Sequence, residues 1–391
     1  MKNIFPTVYK DYHPMKELNY QFNRFAMGIR DEDVMAIAPK IKNYADWKRE
    51  TLSIAELAEK ESRFMNAACY YRLAEFFMDP HDPDKNKAYG RFTELMNDLF
   101  KNEEIKKISI PYENTYLPAA SIKSGDKKGV ILICGGFDSF IEELYMAMLY
   151  FKSSGYDVIA FEGPGQGAAL KKYGMPMTHE WEKPVKAVLD FFKLSDVTMI
   201  GVSLGGYLAL RAAAYDNRIS RVVAYDVMYD FIECFLNRKG PVGRYALKLL
   251  LAARAAFIIN AAVSLIMKTD LLAEWGIKQG MHVMGVNSPY RLFKKYKNFT
   301  TKDISKLITQ DVLVLAGSED HYVSLNQFYA QIKALVNSRS VTGRIFTRME
   351  NAQNHCQVGN MALALDTIIN WIELCKQKNS VTGCQGKSII S

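Results

Sequence analysis

Ser203 stands in Gly201-Val202-Ser203-Leu204-Gly205, between an apolar, β-branched run, Val197 to Val202, and an Ala/Leu-rich run, Tyr207 to Tyr215. This pattern predicts a strand that turns sharply into a helix at the serine. Such a turn holds the hydroxyl strained and exposed, and the flanking glycines remove Cβ atoms that would crowd it. A serine hydroxyl is a weak nucleophile at neutral pH, so it needs a base, and the base needs an orienting carboxylate. Behind an elbow of this kind the acid follows the serine in the chain and the histidine comes last. Asp320 lies in the loop Ala316 to Val323, after a strand expected at Asp311 to Ala316, and His355 lies just beyond a last strand expected at Gly343 to Met349. The chemistry of that set is acyl transfer: Ser203 attacks a carbonyl, His355 moves the proton and Asp320 holds the imidazolium.

Other residues compete for these roles. Glu319 adjoins Asp320, and Asp226, at the end of a strand expected at Arg221 to Asp226, is the other place such a sheet can hold the acid. His321 adjoins Asp320 and would strain to reach a serine beside it. His13 and His81 fall in the helical N-terminus, His179 in a loop and His282 in an insertion, where each could line a pocket. Attack on a carbonyl creates an oxyanion that wants two rigid backbone N–H donors. Leu204 supplies one, and Phe137 or Asp138 the other, with Phe137 favoured because Gly135-Gly136 lets the loop after the strand Gly129 to Cys134 approach closely. Gly136, Glu162 and Asp226 are further candidates for the pocket wall. The glycine-rich loop Gly163-Pro164-Gly165-Gln166-Gly167 lacks the Lys-Ser/Thr of a phosphate-binding loop, so it reads as a turn beside the site.

The elements that must position these residues follow from periodicity. Residues 1–103 read as helical, with Ser53 and Glu56 spaced as a capping box and a run Asn66 to Met78 too rich in aromatics for a free surface helix. Asp79 to Asp84 breaks that pattern before a helix at Lys87 to Phe100. From Ile105 the texture changes to a hairpin, Ile105 to Tyr112 with Thr115 to Ile122. Buried strands then alternate with helices at Ile141 to Ser153 and Glu180 to Phe192. The expected fold class is α/β, a mostly parallel eight-stranded sheet with helices on both faces. Its core is 104–228 with 304–378, interrupted by a strandless insertion at 229–303 that reads as a helical cap. A helix at Val358 to Gln377 closes the chain, and 379–391 is polar enough for a disordered tail.

Composition removes other classes. The chain has 391 residues, half of them hydrophobic, and a net charge of +8 whose cations are scattered in short runs such as Lys171-Lys172 and Lys294-Lys295. Nucleic-acid binding would call for a basic stripe with interleaved aromatics. The six cysteines are widely spaced, without a Cys-x-x-Cys pair, and the N-terminus has no apolar signal core, so free thiols in the cytoplasm are expected. Ala246 to Met267 is largely apolar, but Lys248, Arg254 and Asn260 interrupt it, and about 2.5–3.5 kcal/mol per central charge argues against a span.

The run Ala67 to Phe77, the loop Gly135-Gly-Phe-Asp-Ser139, Phe161-Glu-Gly-Pro-Gly-Gln-Gly167 and Gly201-Val-Ser-Leu-Gly-Gly206 together resemble one branch of the α/β-hydrolases. That branch contains 2,6-dihydroxypseudooxynicotine hydrolase and the fungal heptaketide-shortening pigment hydrolases. The resemblance covers roughly residues 50 to 376. It implies a helical N-terminal cap, carbon–carbon bond hydrolysis next to a ketone in several members, a Ser203, Asp320 and His355 triad, and an oxyanion hole at Phe137 and Leu204. The insertion departs from the branch in being longer and more apolar. The function expected is a cofactor-free, metal-free serine hydrolase for a small apolar carbonyl substrate, a polyketide, β-diketone or ester. An acyltransferase on the same triad and a non-catalytic binding protein are the alternatives. The aromatic-rich N-terminal helices could serve a homodimer as readily as a lid.

Overall fold

The computed structural model describes residues 5–236 and 240–385. Eight strands form one sheet: β1 (Lys106–Tyr112), β2 (Thr115–Ile122), β3 (Gly129–Cys134), β4 (Tyr156–Phe161), β5 (Val197–Val202), β6 (Ile219–Tyr225), β7 (Asp311–Gly317) and β8 (Ser340–Phe346). Their spatial order is β1-β2-β4-β3-β5-β6-β7-β8. The β1–β2 hairpin joins the rest antiparallel through β4, and β3 to β8 run parallel. The winding reverses at β3, whose two neighbours are β4 and β5, so the loops leaving β3 and β5 flank a crevice at the carboxyl edge of the sheet.

The two-residue period of the strands sorts their side chains into two cores. Ile131, Ile133, Ile200, Val223 and Tyr225 face one side, and Leu132, Cys134, Met199, Val222 and Ala224 the other. On the first face pack α6 (Tyr145–Ser153), α16 (Met361–Gln385) and five N-terminal helices: α1 (Lys16–Arg24), α2 (Asp31–Ile37), α3 (Tyr44–Lys60), α4 (Phe64–Phe77) and α5 (Pro83–Leu99). The second face carries α8 (Glu182–Phe192), α9 (Gly205–Tyr215) and α15 (Leu325–Ala334). A short helix, α7 (Gly167–Lys171), follows the glycine-rich loop. Between β6 and β7 the chain forms α10 (Phe231–Leu236), α11 (Gly240–Ala252), α12 (Ala256–Met267), α13 (Leu271–Met284) and α14 (Pro289–Tyr296), with no strand of the sheet among the described residues there. The aromatic run of α4 is buried as its composition requires: the Trp47 indole of α3 donates to Leu73 O at 2.7 Å, and Trp275 of α13 stacks on Phe76 at 4.9 Å.

Several boundaries differ from the sequence reading, each for a local reason. Ser53 lies inside α3, whose true cap is Asn43, accepting from the Asp46 N–H at 2.9 Å. α5 begins at Pro83 because Asp82 caps it and proline suits the first helical turn. β8 starts three residues earlier than expected, held by the Ser340 hydroxyl on Asp311 at 2.7 Å, and stops before a reciprocal Thr347–Glu350 cap. The closing helix continues through 379–385, part of the expected tail, and 386–391 lie outside the described residues.

Candidate active site

Ser203 occupies the turn between β5 and α9 with φ of 62°, a left-handed conformation that costs a residue with a Cβ about 1–3 kcal/mol. Its surroundings enforce it. The Ser203 N–H donates to Tyr225 O at 2.6 Å, and Gly206 N–H donates to Ser203 O at 2.8 Å. A Cβ on Gly201 would stand 1.8 Å from Gly205 O, and one on Gly206 2.0 Å from Asp226 O, so neither site admits a side chain.

His355 follows β8 in a 3₁₀ turn. Its Nε2 lies 2.7 Å from Ser203 Oγ, and its Nδ1 lies 2.6 Å from Asp320 Oδ2. The other Asp320 oxygen accepts the N–H groups of Tyr322 and Val323 at 2.7 and 2.9 Å, so the carboxylate has a fixed orientation. Burial disfavours the charged form of Asp320, but the His355 imidazole and its hydrogen bonds outweigh that and hold its pKa below the usual value. Burial likewise opposes an imidazolium at His355, yet the Asp320 carboxylate beside Nδ1 raises its pKa well above that of an ordinary histidine. Glu319, the competing acid, turns outward to Arg348, with Nε at 2.9 Å from Oε1.

Asp226 lies behind the histidine. Its Oδ2 accepts the Cys356 N–H at 2.7 Å and stands 3.5 Å from His355 Nδ1, and its Oδ1 accepts from Gln357 Nε2 at 2.9 Å. Burial, reinforced by the charge of Asp320, pushes its pKa up to about 7. Tyr20 and Tyr225 complete the frame, donating to the carbonyls of His355 and Cys356 at 3.2 and 3.0 Å. Asp226, His355 and Cys356 bring potential metal-ligand atoms within 4.8 Å of one another, but the imidazole nitrogens and the carboxylate oxygens already face protein partners.

The loop after β3 presses against the elbow: a Cβ on Gly136 would lie 2.9 Å from both Leu204 N and Ser203 Cβ. The backbone N–H groups of Phe137 and Leu204 donate to no acceptor among the described residues, and both residues line the cavity above Ser203. Three elements clamp this loop. Gln166, from the glycine-rich turn, donates to Gly135 O and Gly136 O at 2.7 and 2.9 Å. The fully buried Arg72 of α4, paired with Glu75 and Glu143 at 2.7 Å each, donates to Asp138 O. Gln279 of α13 donates to Asp138 Oδ1 at 2.7 Å.

A cavity of about 610 Å³ opens over Ser203 and His355. Tyr20, Arg24 and Phe76 wall it from the N-terminal helices, Leu247, Leu250, Ile259 and Val263 from α11 and α12, and Trp275 from α13. Of the residues expected in the pocket wall, Gly136, Glu162 and Asp226 do not reach it. Gly136 is sealed against the elbow. Glu162 instead accepts the N–H groups of Ile141 and Ala168 at 2.8 and 2.7 Å, with its pKa raised to about 8 by burial and then by Glu142. The sequence reading missed Tyr20, Arg24, Arg72 and Tyr225. Arg72 stands within the run Ala67 to Phe77 that carries the resemblance, but nothing in that run marks it out; Tyr20, Arg24 and Tyr225 stand in no motif, and only the excess of aromatics in α4 signalled that this region covers something.

Residues 130–356 match the Alpha/beta hydrolase family. Hydrolyase poxO of Penicillium oxalicum is 32% identical over 293 residues, covering 67% of this chain and 66% of its own length, just under two thirds of that relative. The 20-hydroxy-prefusarin hydrolase FUS2 of Gibberella moniliformis is 25% identical over 403 residues, covering 91% of this chain and 95% of its own. Among solved structures, 2,6-dihydroxy-pseudo-oxynicotine hydrolase superposes with a TM-score of 0.63 at 18% identity, over 90% of this chain and 94% of that one. Eight strands wound this way, a serine elbow after β5 and the family match over more than half the chain lead to one conclusion: the chain belongs to the alpha/beta hydrolase family and is a hydrolase.

Proposed function

We propose that Ser203, His355 and Asp320 form a catalytic triad hydrolysing an apolar carbonyl compound through an acyl-enzyme. One observation carries this reading: the unbroken chain of contacts Ser203 Oγ to His355 Nε2 to Asp320, at 2.7 and 2.6 Å, at the base of an apolar cavity. Ser203 Oγ adds to the carbonyl carbon as His355 takes its proton, and the oxyanion is held by the N–H groups of Leu204 and Phe137. The bond to the leaving group then breaks and His355 returns the proton to it. Water, activated by the same histidine, adds to the acyl carbon and releases Ser203. Residues 1–103 and 229–303 act as two covers over the core, shaping a space within the usual size for a small ligand.

An enolate carbon, as from a β-diketone or polyketide, and an alkoxide, as from an ester, both suit this machinery. The relative FUS2, by its name a hydrolase of 20-hydroxy-prefusarin, supports a small organic substrate. Labelling by a fluorophosphonate tests the reading. The native chain should label, Ser203→Ala should not, and equal labelling of the two would overturn it.

A further inference from the structure

The insertion is apolar on both sides of its α11–α12 pair. Leu247, Leu250, Ile259 and Val263 face the cavity, yet Val242, Tyr245 and Leu249 of α11 and Phe257, Ile258 and Leu265 of α12 are each more than half exposed, Phe257 to 86%. Soluble monomers seldom present a contiguous apolar face of this kind without a use for it. Charge indicates the use. Between Glu233 and Asp270 the chain holds six cations, Arg238, Lys239, Arg244, Lys248, Arg254 and Lys268, and no acid, which is most of the net charge of +8. Arg244 and Lys248 share Glu233, while Arg254, at the turn between the two helices, and Lys268, just past the end of α12, are exposed. Among the described residues, Arg254 and Lys268 bracket α12 and its exposed apolar side chains.

We propose that the α11–α12 hairpin docks on the surface of an anionic lipid bilayer, with Phe257, Val242 and Leu265 entering the headgroup boundary and the cations meeting lipid phosphates. The twelve residues of α12 extend only about 18 Å, against about 30 Å for a hydrocarbon core, so the hairpin lies in the interface and does not cross it. No helix among the described residues is long and apolar enough to cross a membrane. The inner faces of the docking helices line the cavity, so docking sets the cavity beside the phase in which an apolar substrate concentrates. That last step rests on the proposed function, whereas the docking itself does not.

Flotation of the full chain with vesicles of phosphatidylcholine containing about 30% phosphatidylglycerol tests it, since attachment needs no catalysis. The chain should float with these vesicles and not with pure phosphatidylcholine, and salt should release it. Phe257→Ser combined with Leu265→Ser should lower the bound fraction about tenfold, as should Arg254→Glu combined with Lys268→Glu, while fluorophosphonate labelling stays at the native rate. Labelling reports on the triad alone, so the two proposals fail separately. Docking is overturned if the native chain does not float with anionic vesicles, or if the serine variant floats like the native chain. It is also overturned if sedimentation shows that the same substitutions split a dimer, which would give the face to a second copy.

Discussion

Asp320→Asn is the substitution whose consequence the geometry defines most narrowly. In the native site Oδ1 accepts two backbone N–H groups, from Tyr322 and Val323, and Oδ2 faces His355 Nδ1. An asparagine must keep its carbonyl oxygen toward the two donors, which turns its NH₂ to the imidazole. Nδ1 then becomes an acceptor, and Nε2 carries the proton it should receive from Ser203. Turning the amide over would leave two buried donors without acceptors, about 1–3 kcal/mol each, or about 2–6 kcal/mol together. At 1.36 kcal/mol per decade, kcat/KM should fall between about 30-fold and about 3 × 10⁴-fold. Asp226, 3.5 Å from Nδ1, offers no rescue, because its oxygens are held by Cys356 N–H and Gln357. The pH profile gives a second readout. Ser203 needs a neutral His355, and Asp320 raises that imidazole, so the acid limb should lie above the ordinary histidine value near 6.5 and move down in the variant. Hydrolysis of p-nitrophenyl acetate across pH, with a melting curve to verify folding, measures both. Near-native kcat/KM in Asp320→Asn, with collapse in Asp226→Asn, would refute the assignment and give the acid role to Asp226.

Three further outcomes follow from packing and burial. Gly206→Ala places a Cβ 2.0 Å from Asp226 O and must push the elbow off β6; chemical denaturation should show a loss of about 1–3 kcal/mol, with ester hydrolysis falling as well. Arg72→Ala takes one cation from Glu75, which keeps Lys85 and Lys171, and one from Glu143, which keeps Arg24, and it frees the carbonyl of Asp138. Unfolding should report about 1–3 kcal/mol lost, and Arg72→Lys should not restore kcat, because one ammonium cannot span all three acceptors. Glu142 is buried with one oxygen unpartnered, and burial raises its pKa to about 7. Between about 4.5 and 7 the unfolded chain gives up this proton while the folded chain keeps it, so stability should fall as pH rises through that window. Glu142→Gln should flatten that slope in melting curves taken from pH 5 to 8, and an unchanged slope would remove Glu142 as its source.

The amino-acid sequence by itself determined what local chemistry can express. A β-branched run ending in Gly-x-Ser-x-Gly permits few structures, because the glycines meet backbone at 1.8 to 2.8 Å. Strands β3 to β7 were legible as apolar runs since each is buried on both faces, whereas the edge strand β8, half exposed, was misplaced by three residues. The order acid then histidine pointed to Asp320 and His355, but sequence order carries no distances. Only the tertiary structure turned Glu319 outward and set Asp320 and Asp226 on the same imidazole nitrogen. It also turned Gln166 from a loop residue into a brace for the Phe137 turn, and brought Tyr20, some 335 positions away, onto the carbonyl of His355. Such contacts depend on where distant helices land, and that is decided by which apolar faces bury together. The insertion shows the same limit: its apolar and basic residues are plain in the chain, but which of them face the cavity and which face out is a property of the folded molecule alone.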